Sequence, residues 1–222
     1  MSYHLYGAPA TASLCVHWML LELQQDFELT LLDLAAQQQR GAEYLRLNPG
    51  GRVPTLLVDG APHSECAALL MLLAERHPEA GWAPAPGSSE RADYLQWMVW
   101  LSNTLMPAFR AWFYPHEPAG AGHEAAVQAQ ARAAIEACWA RLAGQLSDGR
   151  PYLLGSQPRA VDLLATMLVR WSRNMPRPAE CWEPLATYSA RMRQRPALQE
   201  VHRREGLSDW IDTGGRRVPD AA

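Results

Sequence analysis

The chain has 222 residues, a formal net charge of −3 at pH 7 and 48% hydrophobic residues. This length suits one large domain or two small domains with a buried core, and the weak charge provides no basic surface for nucleic acid. All 20 basic side chains are arginine. That composition excludes a Schiff-base lysine and the lysine of a phosphate-binding P-loop.

The four cysteines lie far apart, at Cys15, Cys66, Cys138 and Cys181. Their spacing argues against a zinc knot, a Cys-x-x-Cys dithiol or a disulfide framework, and favours reduced thiols in a cytoplasmic protein. The histidines form no His-x-x-x-His pattern, so no metal site is expected. The longest apolar run, residues 66–74, is too short to span a bilayer, and no basic residue precedes the first apolar stretch. Neither a membrane span nor a signal peptide is therefore expected.

Residues 1–78 predict a mixed α/β domain. The alternation of Phe27, Leu29 and Leu31 is typical of a strand, and Asp59-Gly60 is typical of a tight hairpin turn. The predicted elements are strands at 3–6 and 27–33, a hairpin containing 55–58, helices at 13–23 and 66–76, and a polar connection at 37–46. Their order is βαβ, α, ββ, α.

Residues 79–89 are rich in Pro, Gly and Ser and predict a linker to an all-helical domain at 90–207. Pro107 predicts a kink near residues 103–106 of the first long helix. Residues 115–122 are predicted to be a loop. The remaining helices are predicted at 124–146, 161–173, 181–195 and 196–205, and residues 208–222 form a predicted tail. Helix 161–173 is apolar on most sides, so it is expected to be the buried central helix.

Residues 48–66 carry the strongest functional signal. Val53-Pro54 is a candidate cis peptide bond that leaves the N–H and C=O of Val53 available to pair with an extended peptide. Glu65 and Cys66 then begin an apolar helix, whose first-turn N–H groups suit a carboxylate. The segment predicts a pocket for a small peptide, built largely from main chain.

Three segments, residues 6–17, 48–60 and 195–207, together with the domain order, resemble the cytosolic glutathione transferases, and in particular their bacterial beta-class members. The resemblance covers about residues 1–207. It implies a thioredoxin-like α/β domain followed by an all-α domain. It also implies a cytoplasmic homodimer with a detoxification role, which uses glutathione as co-substrate and a small hydrophobic electrophile as its other partner. No partner nucleic acid or membrane and no metal are implied.

The resemblance assigns glutathione contacts residue by residue. Val53, before a cis Pro54, holds the cysteinyl part by its main chain, and Glu65 and Cys66 receive the γ-glutamyl end. The glycine carboxylate falls near three polar side chains, Gln39, Arg40 and Arg52. Arg52 is favoured because a guanidinium suits a carboxylate.

The chain departs from the beta-class pattern at several positions. Ala12 occupies the position of the class's catalytic cysteine, so a mixed disulfide cannot form there. Cys66 replaces the usual Ser or Thr, and Arg159 replaces the usual capping Ser or Thr before Asp162. The class's His-Lys pair appears here as Met106-Pro107.

The glutathione thiol must be activated as a thiolate. Ser13, at the predicted start of the first helix, and Thr11 are the candidate catalytic residues, with Tyr6 and main-chain N–H groups as further alternatives. Ser13 can equally be a helix N-cap. The hydrophobic substrate site is predicted at five residues on or just after the first long helix, although each is equally suited to ordinary helix packing: Met106, Phe109, Arg110, Phe113 and Tyr114.

The sequence thus predicts a glutathione transferase that conjugates the glutathione thiolate to small hydrophobic electrophiles. Two alternatives stay open. One is a glutathione-dependent disulfide or peroxide reductase that uses the same site. The other is a non-catalytic binder of glutathione or of hydrophobic ligands.

Overall fold

The structure, a computed structural model, describes residues 2–120 and 122–211. The chain divides into two compact units. The first contains the chain up to Gly81 together with the segment from Arg193 onward, and the second is Trp82–Met192. The division assigns the last helix to the first unit. The domain limits expected from the sequence stay a prediction.

The first unit contains a four-stranded mixed sheet. Its strands are β1 (Tyr3–Gly7), β2 (Glu28–Leu31), β3 (Thr55–Val58) and β4 (Ala61–Ser64), in the order β2-β1-β3-β4. β1 pairs parallel with β2 and antiparallel with β3, and β3 pairs antiparallel with β4. Asp59 and Gly60 have φ angles of 52° and 86°. Such positive angles at both positions are what a two-residue hairpin turn requires.

The described helices occupy both units. They are α1 (Leu14–Glu22), α2 (Ala42–Leu47), α3 (Cys66–Arg76), α4 (Arg91–Trp100), α5 (Met106–Phe113), α6 (His116–Ala119), α7 (Glu124–Gln145), α8 (Ala160–Trp171), α9 (Glu183–Arg193) and α10 (Pro196–Glu205). In the first unit α1 packs against both α3 and α10. This explains why α1 is buried along nearly its whole length, from Leu14 to Leu20. The predicted βαβ, α, ββ, α order is confirmed.

The predicted kink corresponds to a π-helical turn, Leu101–Leu105, between α4 and α5. Pro107 is the second residue of α5, and its ring and missing N–H disrupt the regular hydrogen-bond ladder of the preceding turn. α8 is buried from Ala160 to Arg170, as expected for the central helix of the second unit.

Asp162 fixes the start of α8 in the absence of the usual capping Ser or Thr. Its carboxylate accepts hydrogen bonds from the N–H of Arg159 at 2.8 Å, the N–H of Leu153 at 2.9 Å and the hydroxyl of Tyr188 at 3.1 Å. A buried carboxylate is tolerated when donors satisfy it in this way. One of the two hydrogen bonds of a capping box, from the N–H of Arg159 to the Asp162 carboxylate, is therefore enough to cap α8.

Two element predictions are corrected. Residues 115–122 were expected to be a loop, but they contain α6, a single helical turn that begins after Pro115. A proline is compatible with the first turn of a helix, because its missing N–H has no intrahelical role there. The strand predicted at 27–33 is shorter and covers Glu28–Leu31. Of the predicted tail, residues 212–222 lie outside the described residues.

No helix among the described residues is long and apolar enough to cross a bilayer. No group of three or more His, Cys, Asp or Glu side chains among them is placed to hold a metal ion.

Candidate glutathione site

The turn before β3 presents main-chain groups rather than side chains. The Val53–Pro54 peptide bond is cis. Neither the N–H nor the C=O of Val53 makes a hydrogen bond to any described residue, and the residue is half-buried. Both groups can therefore pair with the main chain of an extended peptide, as an added strand does.

A hydrogen-bond network holds this turn in place. The Tyr44 hydroxyl donates to the carbonyl of Arg52 at 2.6 Å, and the Asn48 amide donates to the same carbonyl at 2.8 Å. The Tyr44 hydroxyl also lies 2.8 Å from the buried hydroxyl of Thr55. Burial raises the pKa of Tyr44 further above neutral pH. Sequence analysis missed Tyr44 and Thr55, because their separation along the chain gives no local signal.

Glu65 connects β4 to α3 in an unusual conformation. Its φ of 69° and ψ of 100° fall outside the regions that residues with a Cβ favour, and its side chain is exposed. Such backbone outliers cost about 1–3 kcal/mol and cluster at ligand-binding sites. Cys66, the first residue of α3, is buried directly after it. The arrangement places a carboxylate next to the N–H groups of the first helical turn.

The three residues predicted to bind the glycine carboxylate lie in two segments that meet at Gly51, residues 39–40 and residue 52. Arg52 is exposed and immediately precedes Val53. Gly51 has a φ of 57°, and a Cβ at this position would lie 2.8 Å from the Arg40 guanidinium. The Gln39 side-chain oxygen is buried and has no hydrogen-bond partner among the described residues. Two guanidinium groups and the Gln39 amide therefore lie around Gly51.

Thr11, Ala12 and Ser13, which we call the sulfur corner, lie between β1 and α1. The Ser13 hydroxyl accepts a hydrogen bond from the N–H of Ala8 at 3.1 Å and can donate to the Ala8 carbonyl at 3.1 Å. The Thr11 hydroxyl donates to that carbonyl at 2.7 Å and lies 2.9 Å from the Ser13 hydroxyl. The N–H of Ala12 has no hydrogen bond to a described residue.

The two hydroxyls of the sulfur corner differ in access. Ser13 is 1% exposed, whereas Thr11 is half-buried. A Cβ at Gly7 would lie 2.6 Å from the Ser13 hydroxyl, so only glycine permits this packing. Ser13 therefore lies inside the turn, and Thr11 is the hydroxyl that a ligand can reach. Tyr6, a further candidate, is half-buried and packs on the Tyr44 ring, with their centroids 5.9 Å apart.

A residue from the far end of the chain completes the turn. The Glu205 carboxylate of α10 accepts a hydrogen bond at 2.9 Å from the N–H of Ala10, just before the sulfur corner. The two residues are 195 positions apart in sequence. Sequence analysis placed Glu205 in a family-like segment but could not assign it this contact.

An open groove of ≈ 400 Å³ lies beside the same turn. Its lining is apolar except for one carboxylate: Ala8, Pro9, Leu31, Leu32, Asp33 and Leu34. Sequence analysis treated these residues only as elements of the fold. The groove gives the first unit an apolar surface next to the sulfur corner.

The predicted hydrophobic substrate residues lie on and after α5 in the second unit. Phe109 is buried and packs against the rings of Trp139 and Trp171, so it belongs to the core of that unit. Phe113 and Tyr114 are exposed, and Met106 and Arg110 are partly exposed. The Arg110 guanidinium stacks 3.9 Å from the centroid of the Tyr114 ring and pairs with Glu117. Four of the five residues therefore reach the surface.

Both the N-terminal and the C-terminal part of the chain match a known protein family. Residues 12–76 match the family model "Glutathione S-transferase, N-terminal domain", and residues 124–213 match "Glutathione S-transferase, C-terminal domain". Glutathione S-transferase GstA of Escherichia coli O157:H7 is 26% identical over 205 residues, which are 91% of this chain and 98% of the relative.

Solved structures extend the likeness to the fold. A glutathione transferase from Methylococcus capsulatus str. Bath is 30% identical with a TM-score of 0.83, covering 92% of this chain and 99% of its own. A sphingomonad glutathione S-transferase complexed with glutathione is 29% identical with a TM-score of 0.80, covering 92% of this chain and 100% of its own. The predicted fold class, a thioredoxin-like domain followed by a helical domain, is confirmed. The chain belongs to the glutathione S-transferase family.

Proposed function

We propose that this protein is a glutathione transferase that joins the glutathione thiolate to small hydrophobic electrophiles. The observation that carries the proposal is the pair of unbonded main-chain groups on Val53, in the same unit as the carboxylate of Glu65 at the start of α3. A tripeptide with a carboxylate at each end, an ammonium group and a central amide matches these groups. The relative solved in complex with glutathione supports this choice of ligand.

In the proposed complex the cysteinyl residue of glutathione pairs with the N–H and C=O of Val53. The ammonium group of the γ-glutamyl residue binds the Glu65 carboxylate. The carboxylate of the same γ-glutamyl residue accepts hydrogen bonds from the first turn of α3, at Cys66. The glycine carboxylate binds Arg52, with Arg40 and Gln39 beside it. Every contact uses a group in the first unit.

The sulfur corner is proposed to stabilise the thiolate. The Thr11 hydroxyl turns from the Ala8 carbonyl to the sulfur, and the Ser13 hydroxyl then donates to that carbonyl. The short distances among the three groups support this exchange. The N–H of Ala12 supplies a second donor. Hydrogen bonds to a charged acceptor are worth about 1.5–3 kcal/mol each, enough to favour the thiolate substantially.

The thiolate then attacks an electrophilic carbon of the second substrate. With an aryl halide, the sulfur–carbon bond forms, the carbon–halogen bond breaks, and the halide leaves with the bonding electrons. The largely apolar groove at Pro9 and residues 31–34 supports a preference for hydrophobic electrophiles. Met106, Arg110, Phe113 and Tyr114 stay predicted contacts of that substrate. The homodimer and the cytoplasmic location also stay predictions.

Binding of glutathione and conjugation of 1-chloro-2,4-dinitrobenzene together test the proposal. Glu65→Gln is expected to weaken glutathione binding, measured by calorimetry, by about tenfold to a hundredfold, because it removes the negative charge that pairs with the γ-glutamyl ammonium group. Glu183→Gln, at an exposed acid in the first turn of α9, is the matched control and is expected to change nothing.

Other outcomes identify the alternatives. Formation of oxidised glutathione from a peroxide or a small disulfide, without any conjugate, would indicate a reductase. Tight glutathione binding with neither product would indicate a binding protein. Equal glutathione affinity for Glu65→Gln and the unsubstituted chain would contradict the proposed site itself.

A further inference from the structure

The groove beside the sulfur corner contains one charged residue. Of its six lining residues, five are apolar, and the sixth is Asp33, which is exposed. Leu32 and Leu34, its neighbours in the chain, are half-buried and belong to the same lining. None of the described residues that line the groove is an arginine or a histidine. The groove therefore combines an apolar surface with a single negative charge.

Hydrogen bonds hold Asp33 in place. Its Oδ1 accepts the N–H of Ala36 at 3.0 Å, and its own N–H donates to the side-chain oxygen of Gln38 at 2.8 Å. Its carbonyl accepts the N–H of Gln38 at 3.1 Å. Within the described part of the chain, Oδ2 accepts no hydrogen bond and the carboxylate forms no ion pair. The negative charge is thus fixed in position without being neutralised by one of these residues.

The groove adjoins the hydroxyl groups that are proposed to stabilise the thiolate. Ala8, which lines it, donates its N–H to the Ser13 hydroxyl at 3.1 Å and accepts the Thr11 hydroxyl on its carbonyl at 2.7 Å. The N–H of Leu32 donates to the carbonyl of Gly7 at 2.8 Å, which holds the segment after β2 against the same turn. A molecule in the groove therefore lies next to the sulfur corner.

We propose that Asp33 is a specificity-determining residue, through which the protein selects hydrophobic electrophiles that carry a positive charge. The leucines of the groove contact the apolar body of the electrophile, while the Asp33 carboxylate attracts a cationic group and repels an anionic one. This inference rests on the proposed function, because it concerns the second substrate of the same site.

Coulomb's law gives the size of the effect. Two unit charges about 4 Å apart in water interact strongly enough to change an equilibrium about fivefold. A cation gains this factor and an anion loses it, so the two should differ by about tenfold or more. Apolar contacts with the leucines are the same for both substrates and cancel in the ratio. Sodium chloride at about 1 M reduces the Debye length to about 3 Å, so it should remove most of the difference.

Three amides of 4-chloro-3,5-dinitrobenzoic acid provide matched electrophiles. They share the reacting ring and differ only in the group on the amide nitrogen, which is trimethylammonioethyl, methoxyethyl or sulfoethyl. Conjugation with glutathione is followed by absorbance, and each kcat/KM is divided by the rate constant of the uncatalysed reaction. In low salt the corrected kcat/KM of the ammonium amide is expected to be at least about tenfold higher than that of the sulfonate amide. The neutral amide is expected to lie between them.

Two variants separate the groove from the overall charge of the protein. Asp33→Asn removes the charge and retains an oxygen for the N–H of Ala36, and it is expected to lower the ratio of the ammonium to the sulfonate amide at least about fivefold. Asp26→Asn removes an exposed acid that does not line the groove, and it is expected to leave the ratio unchanged. Salt at about 1 M should lower the ratio of the unsubstituted chain, which tests the charge even if Asp33→Asn does not fold.

The other outcomes identify what has failed. Conjugation of the neutral amide, with equal rates for the two charged amides or a preference for the sulfonate amide, would overturn the role of Asp33. So would a preference for the ammonium amide that persists in Asp33→Asn or in high salt, or that Asp26→Asn lowers equally. Failure to conjugate any of the amides or 1-chloro-2,4-dinitrobenzene would contradict the proposed function, and the role of Asp33 with it.

Discussion

His17 Nδ1 lies 2.9 Å from Glu205 Oε1, and both side chains are buried. The other carboxylate oxygen accepts the N–H of Ala10, so one acid holds both the first helix and the turn before it. The second ring nitrogen of His17, Nε2, has no hydrogen-bond partner among the described residues. The hydrogen bonds of both His17 and Ala10 described here therefore depend on Glu205.

Substitution Glu205→Ala is expected to destabilise the protein. It leaves the buried imidazole of His17 without its acceptor, which costs about 1–3 kcal/mol, and it removes the half-buried hydrogen bond from the N–H of Ala10. Urea unfolding measures the loss. Glu200→Ala is the control on the same helix, because its ion pairs with Arg203 and Arg204 are exposed and exposed pairs contribute about 0–1 kcal/mol. Equal effects of the two substitutions would contradict a special role for Glu205.

Substitution Thr11→Val is expected to lower kcat/KM about tenfold to a hundredfold, because it removes one hydrogen bond to the thiolate. Without that hydrogen bond the bound thiol ionises at a higher pH, so the loss of kcat/KM should be larger at pH 6.5 than at pH 8.5. A pH–rate profile measures both effects. Thr104→Val, at an exposed threonine of the π-helical turn, is the matched control.

Ser13→Ala distinguishes the two hydroxyls of the sulfur corner. It should mainly reduce stability, because it removes the acceptor of the Ala8 N–H. A large shift of the pH–rate profile for Ser13→Ala, with none for Thr11→Val, would assign the direct role to Ser13 instead.

Alkylation should distinguish the cysteines. Burial raises the pKa of the Cys15 thiol well above its ordinary value, and its hydrogen bond with Cys66 acts in the same direction. Because the thiolate is the reactive form, iodoacetamide at pH 8 should modify the exposed Cys181 and leave Cys15 unmodified. Mass spectrometry after digestion checks this, and unfolded protein should react at both. Rapid modification of Cys15 in the folded protein would be inconsistent with its burial.

The same raised pKa has a consequence for stability. The fold favours the neutral Cys15 thiol, so its contribution is complete below the unfolded pKa of about 8.5. The contribution decreases as the pH rises above that value toward the folded pKa.

Substitution Val99→Asp tests the predicted homodimer. Leu95 and Val99 are exposed, and one helical turn separates them on α4. An aspartate there should oppose burial of this apolar surface against a second copy. Light scattering is expected to change from twice the chain mass of 24.7 kDa to the single value. Gln96→Asp, at an exposed polar position of the same helix, is the control. A monomeric unsubstituted chain would disprove the dimer.

Local patterns predicted most of the fold. The alternation of β2, the Asp59-Gly60 turn and the apolar run after Glu65 each depend on neighbouring residues, so the sequence displays them. α6 was missed because Pro115 and Gly120, which are typical of loops, lie at its ends. In a segment this short, the residue types do not distinguish a single helical turn from a loop.

The candidate site was predictable only where a motif carries it. Val53, Pro54 and Glu65 followed from local sequence. The partners that hold these residues in place could not be found this way, because contacts such as Tyr44 to Arg52 and Ala10 to Glu205 depend on the tertiary fold. The relative access of Thr11 and Ser13 likewise depends on packing, in particular on the close approach of Ser13 to Gly7.

The hydrogen bond from Ala10 to Glu205 also sets an order of events during synthesis. Domains tend to fold from the N-terminus while the chain is still being made, yet the acceptor of Ala10 is 195 residues further on. The ribosome must therefore release α10 before the turn next to the sulfur corner has all its contacts. We expect a nascent chain that ends before Glu205 to form the sheet while lacking a fully ordered thiol-activating turn.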